Sequence, residues 1–232
     1  MSIMLAFLAV IAVIVGWWLS KQRLMSKPWL ETGLAPVAPG HRATPPATAG
    51  LRVFLAVVGG LFALFSSAFV MRTGYADWQP VPMPPVIWVN TLILVLSSIC
   101  LHVAVRAARR GDAQLLHLSL GAGGLSALAF LAGQLVAWRA LMAGGYFLAD
   151  NPANSFFYLI TGLHGLHILG GLIGLGRVWL RLGDGASPAR VRLGVELCAT
   201  YWHFLLGVWI ALLAVMLGWA GELIEICRAA LT

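Results

Sequence analysis

The sequence predicts an all-α membrane protein, a polytopic bundle of about six transmembrane helices with both termini on the periplasmic side. Three observations predict it. The 232 residues are 60% apolar and only 10% charged, whereas soluble domains carry about 25% charged residues. The apolar residues fall into long runs, and about 20 such residues span a bilayer core as a helix. The runs lack the alternation of a membrane barrel. The formal charge of +7 does not point to a nucleic-acid partner, because the basic residues are spread over three short loops rather than gathered in one patch.

The first span covers about residues 3–19, within an N-terminal anchor segment 1–20. No basic residue precedes it, and Lys21, Arg23 and Lys27 follow. A signal peptide carries its charge the other way round, so this reads as an uncleaved anchor with its N-terminus outside. Residues 21–50 read as a cytoplasmic linker, since Pro28, Pro36, Pro39, Pro45 and Pro46 exclude a regular helix and favour an extended chain.

Five further spans are expected at about 51–72, 87–108, 115–143, 155–180 and 195–220. Together they form a domain over 51–222, followed by a short periplasmic tail at 223–232. The loop at 73–86 holds Pro80, Pro82, Pro84 and Pro85, and that at 144–154 holds Gly144, Gly145, Asp150, Asn151, Pro152 and Asn154. Asn154 or Ser155 is positioned to cap the fifth span by accepting a backbone N–H bond.

Lys and Arg set the orientation. Lys21, Arg23, Lys27, Arg42, Arg52, Arg106, Arg109, Arg110, Arg177, Arg181, Arg190 and Arg192 flank alternate loops, which is twelve of the fifteen basic residues. Only Arg72, Arg139 and Arg228 fall on the other side. Basic loops stay in the cytoplasm, so the three basic loops face inward. Trp78, Trp88, Trp138, Tyr146 and Trp219 gather near the outer ends as an aromatic belt. Gly121, Gly123 and Gly124, and then Gly170, Gly171 and Gly174, mark places where helices can approach closely. Cys100, Cys198 and Cys227 form no CxxC pair and read as small hydrophobes.

Ionisable residues inside a bilayer need a partner or a task. His164 and His167 sit three apart on one helical face, while Glu196 and His203 sit seven apart on another. A buried imidazole needs partners for its nitrogens. Glu196, Tyr201 or backbone groups could supply them between helices to His164, His167 and His203. A lipid-headgroup or proton-linked role is the alternative. Gln134, four before Trp138, reads as an interhelix hydrogen-bond donor. No nucleophile with base and orienter appears, no phosphate loop, and no three or four convergent metal ligands. The chain is therefore expected to hold no catalytic or metal site.

Residues 156–171, FFYLITGLHGLHILGG, resemble the HGLH helix of cytochrome c oxidase subunit III, and residues 196–209, ELCATYWHFLLGVW, resemble that family's last helix. Asn90, Thr91, Ser97 and Ser98 are similar to its NT…SS helix, and Gln134, Trp138 and Arg139 to the next helix of its bacterial five-helix form. The resemblance covers about residues 51–220. It departs from the family at Gly59, Gly60 and Leu61, where many members carry a carboxylate, at Leu206, where many carry an aspartate, and in the extra first span.

What the resemblance implies is a non-catalytic subunit of a haem-copper terminal oxidase in the bacterial inner membrane. It would stabilise the catalytic subunit I beside subunit II, hold phospholipid and support proton uptake, with haem and copper in the partner subunits and none in this chain. His164, His167, Glu196, Tyr201, Trp202, His203 and Gln134 would form a lipid-cleft or interhelix polar network. Within it, Glu196 and His203 together could hold a lipid headgroup or a water chain, and Arg192 is the simpler partner for Glu196. Alternatives are an accessory subunit of a related nitric oxide reductase or quinol oxidase, a small membrane transporter, or a haem b membrane protein.

Overall fold

A computed structural model describes residues 45–183 and 187–218, together with Val13 and Trp17. The chain divides into two units, Met1–Ala43 and Thr44–Thr232. All of the long helices described below belong to the second. Among the described residues five helices are long and apolar enough to cross a membrane: α1 Pro46–Arg72, α2 Val86–Arg110, α3 Ala113–Ala143, α4 Pro152–Gly183 and α5 Pro188–Met216. The expected first span lies outside the described residues except for Val13 and Trp17, which are helical. Lys21 to Arg42 of the linker, Trp219, Cys227 and the tail also lie outside them.

The helices overrun the spans expected from apolar runs, for a physical reason at each end. α1 begins at Pro46 rather than near 51. Pro45 is extended and Pro46 stands in the first turn, where a missing N–H costs nothing and a fixed φ is pre-set for helix. The last two linker prolines thus start the helix. α5 begins at Pro188, carrying Arg190 and Arg192 on helical turns that project past the apolar stretch. Apolar runs report only the hydrocarbon-embedded part of a helix.

Gly111 ends α2 in the left-handed conformation at φ 75°, which a glycine adopts without a Cβ penalty. The Asp112 carboxylate then accepts the backbone N–H of Leu115 at 2.9 Å and caps α3. Two residues therefore turn the chain between α2 and α3. At α4 the cap is Asn151, whose side-chain oxygen accepts from the Ala153 N–H at 3.1 Å. Asn154 and Ser155 do not cap. α4 starts three residues before the expected span, and both side chains donate backward, to the carbonyls of Phe147 and Leu148, tying down the loop.

Neighbouring helices run in register. α2 and α5 are antiparallel, with Thr91 opposite Trp209, Ser97 opposite Trp202 and Arg109 opposite Glu196. α3 and α4 are antiparallel as well, with Trp138 against Thr161 and Gly121 against Trp179. Arg52, Arg106, Arg109, Arg110, Arg177, Arg181, Arg190 and Arg192 consequently share one end of the bundle. Trp78, Trp88, Trp138 and Tyr146 belong to the other.

One core, including Leu94, Leu101, Leu120, Phe130, Ile168, Val195, Trp202, Leu205 and Trp209, lies between α2, α3, α4 and α5. A smaller cluster of Val58, Phe62, Phe69, Ile160 and Leu212 holds α1 against α4 and α5. Close approach falls on Gly171. A Cβ there would come within 2.7 Å of the Trp202 and Tyr201 rings. Gly174 faces open space, and Gly170 has only the Tyr201 hydroxyl, at 4.0 Å. The GxxxG spacing thus does not mark this crossing. Cys100 and Cys198 are free and partly buried.

Candidate functional site: an interhelix polar network

Polar side chains on α2 meet indoles on α5. Trp202, fully buried, donates its Nε1–H to Ser97 Oγ at 2.9 Å, and Ser97 in turn donates to the Gly123 carbonyl on α3 at 2.8 Å. One relay joins three helices. Two turns further from the basic end, Trp209 Nε1 donates to Thr91 Oγ1 at 2.9 Å, and Thr91 donates to the Ile87 carbonyl at 2.8 Å. Asn90 Nδ2 reaches Gln134 Oε1 at 3.4 Å and the Phe130 carbonyl at 3.5 Å. Gly133 makes room for that amide, since a Cβ there would collide with Asn90. Gln134 therefore accepts in this contact, and its own donor Nε2 is buried without a partner among the described residues. Trp138 Nε1 donates to Thr161 at 3.1 Å, joining α3 to α4.

The histidines behave differently from one another. His164 is fully buried, and neither ring nitrogen has a hydrogen-bond partner among the described residues. Three rings surround it: Trp209 at 5.1 Å between centroids, Phe130 at 5.9 Å and Phe62 at 6.1 Å. His167 bonds through Nδ1 to the Leu163 carbonyl of its own helix at 2.8 Å, and its ring packs on Phe62 at 5.3 Å. His203 likewise bonds to the Ala199 carbonyl one turn back, at 2.5 Å. Thus His167 and His203 satisfy a nitrogen within their own helices rather than between helices. A carbonyl four residues back lies directly under an imidazole on a helix and needs no second element. Tyr201 does bridge helices, donating to the backbone carbonyl of His167, not to its ring, at 2.7 Å.

Glu196 stands at the basic end, accepting from Arg109 Nε at 3.0 Å and from Arg192 Nε at 3.2 Å. Its carboxylate is committed to these two arginines. His203, two helical turns deeper, contacts the His102 ring at 5.9 Å instead. The structure therefore does not join Glu196 to His203. Residue spacing had singled out Arg192, but not Arg109, which is 87 positions away in sequence. Phe62 and Phe130 around His164 were also missed, because aromatic residues in apolar runs carry no distinguishing signal.

An open apolar groove of about 770 Å³ runs between α3 and α4 toward the tryptophan-rich end. Trp138, Met142, Tyr158, Leu159, Leu163 and Leu166 are among its lining residues. Among the described residues no three His, Cys, Asp or Glu side chains come together to hold a metal ion.

The model of the cytochrome c oxidase subunit III family matches residues 50–221, which takes in α1 from Gly50 onward and the whole of α2 to α5. The chain belongs to the cytochrome c oxidase subunit III family. It is 37% identical over 161 residues to "Probable cytochrome c oxidase subunit 3" of Mycobacterium bovis, covering 68% of this chain and 78% of that one. It is 33% identical over 175 residues to cytochrome c oxidase subunit 3 of Thermostichus vulcanus, covering 72% and 84%. Over 207 residues it is 32% identical to cytochrome c oxidase subunit 3 of Synechocystis sp., covering 82% and 88%. Subunit III membership implies a hetero-oligomeric oxidase complex with other subunits, and the five apolar helices make this a multi-pass membrane protein. The HGLH run of subunit III lies on α4, and the Glu-to-Trp run that ends the resemblance lies on α5.

Proposed function

We propose that this subunit is a non-catalytic scaffold of a haem-copper oxidase in the bacterial inner membrane, with both termini periplasmic. It stabilises catalytic subunit I beside subunit II, retains phospholipid and supports proton uptake by the complex, while haem and copper belong to the partner subunits. The observation that carries this reading is the relay Trp202–Ser97–Gly123. It spends two fully buried polar groups, the Trp202 indole N–H and the Ser97 hydroxyl, on joining α5, α2 and α3. Tyr201, Gln134 and Glu196 are spent similarly on a carbonyl, an amide and two arginines. Such a bundle offers other proteins a rigid surface.

Lipid retention is supported by the apolar groove beside Trp138 and Tyr158, which suits an acyl chain. The guanidinium groups of Arg109 and Arg192 at the opposite end suit a phosphate. A periplasmic placement of the termini is supported by the arginines gathered at one end of the bundle.

The test is the haem and copper content of the tagged chain, purified in mild detergent from its native membrane and compared with the chain expressed alone. Metal in the native preparation and none in the isolated chain is the expected result. Haem in the isolated chain would overturn the scaffold reading. Lipid analysis of the same complex checks the second part: Arg109→Gln with Arg192→Gln should lower bound phospholipid and shorten the enzyme's working life during turnover. Unchanged values for both would remove the two arginines from that role.

A further inference from the structure

His102 on α2 and His203 on α5 present exposed imidazoles side by side, ring edge to ring face, 5.9 Å apart. Each lies seven residues along its helix from the Arg109–Glu196 ion pair that marks the basic end. Seven residues at 1.5 Å put them about 10 Å deeper. At that depth the surroundings are hydrocarbon, where a polar group without a partner is costly. His102 makes no hydrogen bond among the described residues, and the one bond of His203 uses Nδ1. Because a carbonyl only accepts, Nδ1 carries the proton, and Nε2 of that tautomer is an acceptor with no partner among the described residues.

The rest of this face has the features of a helix-packing surface. Ile99 is exposed one turn beyond His102. Gly207 is exposed one turn beyond His203, with nothing within 4 Å of where its Cβ would stand. A small residue open on both sides lets another backbone come close. Arg106, one turn from His102 toward the basic end, is exposed. Glu196, the nearby acid, is already shared by two arginines. The patch therefore presents the unpartnered imidazole of His102, the acceptor nitrogen of His203 and the positive charge of Arg106.

We infer that this α2–α5 face seats a transmembrane helix of another oxidase subunit, one that brings the carboxyl group of an Asp or Glu to the level of His102 and His203, its O–H donating to His203 Nε2 and its carbonyl oxygen accepting from the His102 ring. The inference rests on the oxidase-scaffold reading and deepens it by naming the docking face. The chain's own first apolar run, residues 3–19, contains no Asp, Glu, Asn or Gln. It lacks the chemistry to complement the patch. A lipid headgroup belongs at the interface rather than about 10 Å below it.

The test uses the native complex with Ile99 replaced by the photo-reactive p-benzoylphenylalanine. Illumination should attach this position to a polypeptide that purifies together with the haem. Mass spectrometry should map the attachment to an apolar segment with Asp or Glu within one helical turn. Attachment to lipid, to residues 1–44 of the same chain, or to a helix without a carboxylate would overturn the inference. The double variant His102→Leu with His203→Leu keeps the bundle, since both rings are exposed. It should cut retention of the subunit through detergent washing by about tenfold, and full retention would also overturn the proposal. Haem co-purifying with the unmodified tagged chain separates the two failures. If haem comes with it but Ile99 meets only lipid, the docking face is wrong. If no haem comes with it, the scaffold reading itself is wrong.

Discussion

The trio α2, α3 and α5 and the flanking helix α1 use the same apolar residues but are joined by different chemistry. The trio is tied by side-chain hydrogen bonds that cross helices, at Trp202–Ser97–Gly123, Trp209–Thr91 and Asn90–Gln134. It is further tightened where Gly123 lies against Leu101 and Gly133 against Asn90. Among the described residues no side-chain hydrogen bond joins α1 to another helix. It is held by rings: Phe62 on His164 and His167, Phe69 on Trp78 and Phe156, and Phe54 on Tyr201. In lipid, where apolar contact has no advantage over acyl chains, close packing and hydrogen bonds drive association. The trio should therefore act as a unit that α1 joins and leaves separately.

The largest test of that contrast is Trp202→Ala, which empties the centre of the trio and leaves Ser97 with only its bond to Gly123. A loss of about 3–5 kcal/mol is expected for a buried tryptophan, read as cooperative loss of the whole fold in detergent titration. Gly171→Leu comes next, at about 1–3 kcal/mol, by driving a side chain into Trp202 and Tyr201. Thr91→Val keeps the side chain's volume and removes the bond to Trp209, so about 1 kcal/mol is expected. Phe62→Leu should cost a similar amount but read differently. Amide exchange should accelerate along α1 alone, with α2, α3 and α5 unchanged. Equal acceleration in the trio would erase the distinction between the two regions.

The smallest effect belongs to the segment joining α1 to α2. Arg72 hydrogen-bonds Asp77 and stacks over the Tyr75 ring at 4.5 Å. The Arg72 guanidinium holds the exposed Asp77 carboxyl below its ordinary value of 3.8. A depressed carboxyl contributes stability above its unfolded pKa and loses it as pH falls through the folded one. The Asp77 resonance should therefore titrate below the ordinary carboxylate range. α1 should show no change in exchange between about pH 7 and pH 5.

Much of this division could be read along the chain, and some could not. The apolar runs gave the five described helices, because only helix satisfies its own backbone in lipid. Their ends escaped, because Arg190 and Arg192 ride on helix that has left the hydrocarbon. Asn90, Thr91, Ser97 and Gln134 stood out as polar residues in apolar runs. Their partners did not, since Ser97 meets Trp202 across 105 positions and the register of α2 on α5 decides it. His164 shows the converse: its residue type announces a polar need, but three rings from three other helices enclose it. The choice of Gly171 over Gly170 and Gly174 depends on which way α4 is rotated, and periodicity alone leaves that open.

The turn at Gly111 and Asp112 bears on how the protein is made. With two residues between them, α2 and α3 have no spare length for one to thread across the bilayer while the other waits outside. They must leave the insertion machinery as a hairpin, already paired, with Asn90 covered by α3 before either helix meets lipid. α1, separated from α2 by the longer stretch 73–85, is free to enter earlier and find its place against α4 and α5 only after synthesis has reached them.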